Sequence, residues 1–99
     1  MTQIKASGAA VIALAYPIET EGTTVSTITL RRPKVRDMLA AQQAGTTDQE
    51  REMHMFANLA EVSPEAIHDL DLGDYYKLQK AYEGFLSLPQ SKPELSVSS

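Results

Sequence analysis

Two segments of alternating apolar and polar residues lie near the N-terminus of the chain, separated by the polar sequence ETEG. Every second residue over 12–18 is apolar or aromatic, and the second segment ends with Ile28 and Leu30 at the same spacing. Alternation with many β-branched residues is typical of strands that bury one face. Gly22 can adopt the positive φ that tight turns require, and Pro17 has no N–H group to donate to a neighbouring strand. The pattern therefore predicts a β-hairpin with an edge or a bulge at Pro17.

The periodicity changes at Pro33, where the strand pattern gives way to a helical one. Residues before proline favour extended backbone, and proline itself suits the first turn of a helix. We therefore expect the second strand to end at Arg32 and the first helix to begin at Pro33 or Lys34. Gly45 is placed to end this helix. Its positions at helical spacing are Val35, Met38, Leu39 and Gln42.

Later helices are marked by residues that cap helix N-termini. Thr47 lies three residues before Glu50, which is the spacing of a capping box. Ser63 precedes a proline, an arrangement typical of a first helical turn, and Asp71 or Asp74 starts the last helix. The apolar stripe of the last helix is formed by Leu72, Tyr75, Leu78, Tyr82, Phe85 and Leu86. The prediction is an α+β fold in which a small N-terminal β-hairpin is followed by three to four helices.

A chain of 99 residues suits one domain with a modest core. We divide it into a flexible N-terminus at residues 1–10, a single α+β domain at 11–88 and a disordered tail at 89–99, which contains two prolines and four serines. The apolar run from Ala9 to Tyr16 is too short to span a bilayer, so we expect no membrane partner.

Four of the nine basic residues lie between positions 31 and 36, a stretch that we call the basic segment. The chain has a net charge of -4, and residues 48–74 contain eight acidic side chains and one arginine. A nucleic-acid-binding surface carries its basic face along a groove together with stacking aromatics, so we expect no nucleic acid here. We interpret Arg31, Arg32 and Pro33 as a structural joint between strand and helix. Its charges pair with the acidic residues at 48–74 or contact a protein partner.

The sequence has no arrangement of side chains typical of catalysis or metal binding. His54 lies four residues after Glu50, but a metalloprotease helix needs a second histidine at this spacing. Asp69, Asp71 and Asp74 lack the oxygen spacing and the closing glutamate of a calcium loop. The chain also has no cysteine and no glycine-rich phosphate loop. We therefore expect no enzyme, no catalytic residue, no cofactor and no metal.

The methionines are the more informative side chains. Met38, Met53 and Met55 fall on adjacent predicted helices, together with Phe56. The flexible, polarizable methionine side chain suits either an irregular core or an adaptable binding surface, so both interpretations are kept. Tyr76 lies off the core stripe of the last helix. We predict that these five residues contact a partner protein.

Three segments of the sequence occur in a distinctive order: YPIETEG, then TLRRPKVRDMLAA, then REMHMFANLAEVSPEAIHDLDLGDYYKLQKAYEGFL. Their most specific parts are LRRP at Leu30 to Pro33 and an acidic DLxDY-like turn at Asp71 to Tyr75, in which this chain has Gly73. Over residues 11–86 the chain resembles the tail assembly chaperone family of Mu-like and related contractile-tailed bacteriophages and prophages.

This resemblance implies a non-enzymatic assembly factor that acts in the cytoplasm of the bacterial host and is absent from the mature virion. Its implied partners are the tape measure protein, which it keeps soluble while tail tube subunits polymerise around it, and the tail tube protein. Genes of the family often yield a longer product by ribosomal frameshifting, which the tail after Leu88 would tolerate.

An alternative of a different class is a structural tail or baseplate adaptor that stays in the virion. A small nucleic-acid-binding regulator is a third hypothesis, which the net acidic charge disfavours. An exposed hairpin edge and spare apolar helix faces also favour a homo-oligomer.

Overall fold

The computed structural model describes residues 2–4 and 8–87, which form three strands followed by four helices. The strands are β1 (Thr2–Ile4), β2 (Ala10–Thr20) and β3 (Thr23–Leu30). The helices are α1 (Val35–Ala44), α2 (Asp48–Ala60), α3 (Pro64–His68) and α4 (Leu72–Leu86). The predicted α+β class, with a hairpin ahead of the helices, is confirmed.

β1 is an element that the sequence pattern does not predict. It pairs antiparallel with the start of β2, with Ile4 opposite Ala10, and gives a three-stranded sheet of order β1-β2-β3. Residues 2–4 thus form a strand, although the sequence led us to expect a flexible N-terminus over residues 1–10. Residues 1 and 5–7, and the expected disordered tail at 89–99, lie outside the described residues.

The predicted hairpin is formed by β2 and β3. Its turn consists of Glu21 and Gly22, both at positive φ, between the paired residues Thr20 and Thr23. Positive φ at both central residues matches the right-handed twist of the strands, and glycine adopts it without steric cost. The ETEG sequence therefore sets the register of the hairpin.

A bulge interrupts β2 in the middle. Between the pairs Ala13–Thr27 and Ile18–Val25, β2 has four residues and β3 has only Ser26. Extra residues on one strand disrupt the pairing locally. Residue 16, a tyrosine that the alternation places on the core face, lies inside this bulge and is 63% exposed, whereas Leu14 and Ile18 on either side of it follow the alternation and are buried. The proline at position 17 lies inside the bulge, as predicted.

The core lies between one face of the sheet and the helices α2, α3 and α4. Phe56 and Leu59 of α2 pack there with Leu78 of α4 against Ile12 and Leu30 of the sheet, and all five are buried. α1 packs on α2 instead of on the sheet. The main neighbour of α1 is therefore α2.

Three predicted helix starts are confirmed by their caps. The side chains of Thr47, Ser63 and Asp71 accept hydrogen bonds from backbone N–H groups in the first turns of α2, α3 and α4. The start of α1 differs from the prediction, because β3 ends at Leu30 and α1 begins only at Val35. The four residues between them are extended or irregular and contain most of the basic segment.

Candidate partner-binding groove

The helices α2 and α4 meet through long side chains, while their backbones stay apart. The ring of Phe56 lies 5.5 Å from that of Tyr75 and 5.7 Å from that of Tyr82, measured between centroids. Glu52 Oε1 accepts hydrogen bonds from the Tyr75 hydroxyl at 2.5 Å and from Gln79 Nε2 at 2.8 Å. Burial is the main cause that raises the pKa of Tyr75, and the hydrogen bond to Glu52 raises it further. The hydroxyl of Tyr75 therefore remains a donor.

Three depressions follow this line of contact. The first, of about 190 Å³, lies between α1, α2 and α4 and shares Glu52 with the second, of about 490 Å³. The second shares Leu72 and Tyr75 with the third, of about 260 Å³. Because neighbouring depressions share lining residues, we treat the three together as one surface, which we call the α2–α4 groove. Along its length it is lined by Met38, Met55, Tyr82, Glu52, Tyr76, Leu72 and Met53.

The five residues predicted to contact a partner differ in their exposure. Met38 is 44% exposed and Tyr76 is 56% exposed, and both line the groove. Met53 is half-buried in its wall, and Met55 is buried at its floor. Phe56 is fully buried beneath the groove and supports two tyrosines of its wall. Four of the five therefore line one groove, and direct contact by Phe56 would require the core to open.

α1 exposes its apolar side to solvent. Val35 is 70% exposed and Leu39 is 51% exposed, while Asp37 and Ala41 on the opposite side are buried against α2. We call Val35, Met38 and Leu39 the outer face of α1. Sequence reasoning identified Met38 but missed its two neighbours as surface residues, although their helical spacing was visible. The signal that could have located them is Asp37, which lies six positions after Arg31 and can pair with it. Such a pair would turn Asp37 inward and the opposite side of α1, with Val35 and Leu39, towards solvent.

Two leucines of α4 also depart from the predicted core stripe. Leu72 and Leu86 are exposed, whereas Leu78 and Phe85 of the same stripe are buried. Leu72 lies at the start of the helix and forms part of the groove wall. The predicted core stripe of α4 therefore included residues that are exposed, and its N-terminal residue, Leu72, belongs to the candidate site.

Asp37 holds α1 in this orientation. Its carboxylate accepts two hydrogen bonds from the Arg31 guanidinium, at 2.8 and 2.9 Å, one from Lys34 N at 2.8 Å and one from Asn58 Nδ2 at 2.8 Å. The Arg31 guanidinium is the main cause that lowers the pKa of Asp37 to about 2, against the opposing effect of burial. The partner of Arg31 is thus Asp37 of α1, and not an acidic residue of 48–74 as expected.

Arg32 connects the same segment to the end of α4. Its Nη2 donates to the carbonyl oxygen of Phe85 at 3.1 Å, and its guanidinium lies 5.4 Å from the centroid of the Phe85 ring. Such stacking of a guanidinium on an aromatic ring is favourable. Pro33, which follows, is half-buried. Two arginines of the basic segment therefore make contacts within the chain.

Asp74 fixes α4 on the sheet. Its buried carboxylate accepts hydrogen bonds from Ala15 N at 2.9 Å and Tyr16 N at 3.0 Å, and Lys77 Nζ lies 3.0 Å from it. Burial raises the pKa of Asp74, but these three donors outweigh it and lower the pKa below its ordinary value. The bulge of β2 thus receives its hydrogen-bond acceptor from α4, two residues before Tyr76 in the groove wall.

Two acidic residues and one arginine line the groove. They are Asp48, Glu52 and Arg51, and Arg51 forms an ion pair with Asp48 at 3.1 Å. Among the residues that the structure describes, no three histidine or acidic side chains are arranged to hold a metal ion. No helix of the described part is long and apolar enough to cross a membrane.

Comparisons with known proteins identify the family of the chain. A search of curated proteins and a search of solved structures each returned no match. The family described as "Phage tail assembly chaperone proteins, E, or 41 or 14" matches residues 11–87, from the start of β2 to the end of α4, which is most of the chain. The chain therefore belongs to the phage tail assembly chaperone family.

Proposed function

We propose that this chaperone binds the tape measure protein through the α2–α4 groove and the outer face of α1, and keeps that client soluble while the tail tube is assembled. Membership of the family supports a role in phage tail assembly without enzymatic activity. The observation that carries the finer proposal is the orientation of α1, which buries Asp37 and exposes Val35, Met38 and Leu39.

An exposed apolar helix face costs solubility unless a partner covers it. Three large apolar side chains on one face, next to a groove floored by methionine, offer contacts at the i, i+3 and i+4 positions that an apolar helix of a client can match. Methionine adapts its shape to different partners, which suits a chaperone that must later release its client. Of the five predicted contacts, Met38 and Tyr76 are the ones that we propose to touch the client first.

We also propose that Arg31, Arg32 and Pro33 act as a structural joint. Arg31 is engaged by Asp37, and Arg32 by the last turn of α4. Both side chains are therefore engaged within the chain, and the charge of Arg31 is paired. The joint sets the angle at which α1 leaves the sheet and thereby keeps the outer face of α1 beside the groove.

The proposed action takes place in the host cytoplasm, before the protein leaves the growing tail. The tail tube protein would then be a second partner that displaces the chaperone. Self-association through the same apolar surface would compete with the client. On this account the mature virion lacks the protein.

Co-expression with the tape measure protein of the same phage genome tests the proposal. We expect the tape measure protein to stay in the soluble fraction only when the chaperone is present, and to co-purify with it. A tape measure protein that is equally soluble alone contradicts the chaperone role. Mass spectrometry of purified virions then separates the alternatives, because a structural adaptor is found in them and a chaperone is not.

A further inference from the structure

We propose that the client segment held in the α2–α4 groove is an amphipathic helix whose apolar face is bordered by lysine or arginine. This inference rests on the proposed function, because it specifies the chemistry of the segment that the groove receives. It follows from the length of the groove, from the position of its apolar side chains and from its charge.

The dimensions suit a short helix. The groove follows α4 from Leu72 to Tyr82, and ten residues of helix extend about 15 Å. A client helix of about three turns has the same length. Leu72 and Tyr76 stand one helical turn apart on α4, so they can interdigitate with apolar side chains of a client at i and i+4.

The charge selects the polar border of that client helix. The acids Asp48 and Glu52 and the base Arg51 line the groove, and Arg51 is paired with Asp48, so Glu52 is the lining acid that remains to attract a cation. Within the described residues, the two hydrogen bonds to Glu52 both end on Oε1, which leaves Oε2 available to a cation in the groove. A lysine or arginine beside the apolar face of a client is therefore attracted, and an aspartate or glutamate is repelled.

Exposed ion pairs contribute little each, so the apolar contacts must supply most of the affinity. The charges instead discriminate between client segments and accelerate association at low salt. Both components are required by the proposal, and each one predicts a different set of variants that weaken binding.

Two probe peptides test the inference on the full chain. Each is a helix of about 14 residues with leucine on one face, and the polar face is lysine in one probe and glutamate in the other. In fluorescence anisotropy, the lysine probe should bind at least about tenfold more tightly than the glutamate probe, and added salt should reduce this preference. Equal binding of the two probes, or tighter binding of the glutamate probe, overturns the inference.

Matched variants separate groove binding from general attraction to an acidic protein. Tyr76→Ser should weaken binding of the lysine probe about tenfold, whereas Tyr16→Ser, at a tyrosine of similar exposure outside the groove, should not. Glu52→Gln keeps acceptors for Tyr75 and Gln79 but removes the charge, and it should reduce the preference for the lysine probe. Its control is Glu19→Gln, at an exposed glutamate of the hairpin that accepts a hydrogen bond from Thr24.

The two groove variants and their controls are first compared by thermal unfolding, so that a loss of fold is not scored as a loss of binding. Undiminished binding of the lysine probe to folded Tyr76→Ser overturns the inference. Co-purification of the tape measure protein with the same wild-type preparation distinguishes the two proposals. If the tape measure protein binds while the lysine probe has no preference, the chemistry of the segment is wrong and the chaperone role stands. If the tape measure protein does not bind at all, the proposed function fails.

Discussion

Two buried carboxylates hold the elements around the groove in place. A buried charge is costly unless donors surround it. Asp37 receives four hydrogen bonds that join the end of β3, α1 and α2, and Asp74 joins α4 to the bulge of β2. Each carboxylate therefore connects separate elements of the chain through hydrogen bonds. Removing either one should loosen a wall of the groove.

Asp37 makes the folded state sensitive to acid. Its pKa is about 2 in the folded protein, below the ordinary value of 3.8. Its contribution to the free energy of unfolding, on the order of 2 kcal/mol, is therefore complete above about pH 4 and is lost as the pH falls towards 2. We predict that Asp37→Asn lowers the free energy of unfolding by about 2 kcal/mol near pH 7 and by much less near pH 2, measured by urea denaturation.

The control for this variant is Asp48→Asn, because Asp48 is exposed and its ion pair with Arg51 lies at the surface. It should change the free energy of unfolding by at most about 0.5 kcal/mol. A loss for Asp48→Asn as large as that for Asp37→Asn would contradict the special role of the buried carboxylate.

Asp74→Asn tests the second carboxylate. An amide side chain has one acceptor oxygen, so it can satisfy only one of the N–H groups of Ala15 and Tyr16 and presents a donor to the other. We predict a loss of about 1 to 3 kcal/mol in the free energy of unfolding, together with faster hydrogen exchange of these two amides by NMR. Asp69→Asn, at an exposed aspartate, should alter neither quantity. Unchanged exchange in Asp74→Asn would show that the bulge does not depend on α4.

At the scale of the elements, local signals in the sequence identified most boundaries. The turn at Gly22 and the caps at Thr47, Ser63 and Asp71 depend only on neighbours within a few residues, so they could be predicted. The exposure of Tyr16 could not, because the bulge around it is held by a carboxylate 58 residues away. Tertiary contacts of this kind leave no periodic pattern in a single sequence.

The orientation of α1 shows the same limit. Its apolar spacing is typical of a helix that buries Val35 and Leu39, yet the buried side contains Asp37 and Ala41. The pattern predicts the helix correctly and leaves its rotation undetermined. The ion pair with Arg31 decides the rotation, because it compensates the burial of a charged residue.

Substitutions on the two sides of α1 test this rotation. Leu39→Lys should change the free energy of unfolding by at most about 0.5 kcal/mol, because the side chain already contacts water. Ala41→Lys should lower it by at least about 2 kcal/mol, because a charged side chain would have to enter the contact with α2. Chemical denaturation of both variants gives the comparison. A larger loss for Leu39→Lys would mean that the apolar face of α1 packs inward.

At the scale of the whole molecule, a sheet with α2, α3 and α4 forms the packed part, and α1 extends the apolar surface at one side. The composition of the groove was visible in the sequence as methionines and tyrosines on adjacent helices. The geometry of the groove was not visible in the sequence. Phe56 is as apolar as its neighbours Met53 and Met55 on the same helix, but its side chain is fully buried in the core below the groove. Only the packing of two tyrosines over Phe56 distinguishes the floor of the groove from the core below it.

The most direct measurement is co-purification of the tape measure protein with three folded forms of this chain: wild type, the double variant Met38→Ser with Tyr76→Ser, and the control Tyr16→Ser. Met38 and Tyr76 are exposed residues of the groove, so their loss should leave the fold intact and remove apolar contacts to the client. We predict that wild type and Tyr16→Ser retain the tape measure protein in the soluble fraction, and that the double variant loses at least about nine tenths of it. Full retention by the folded double variant would contradict the assignment of the α2–α4 groove as the client-binding surface.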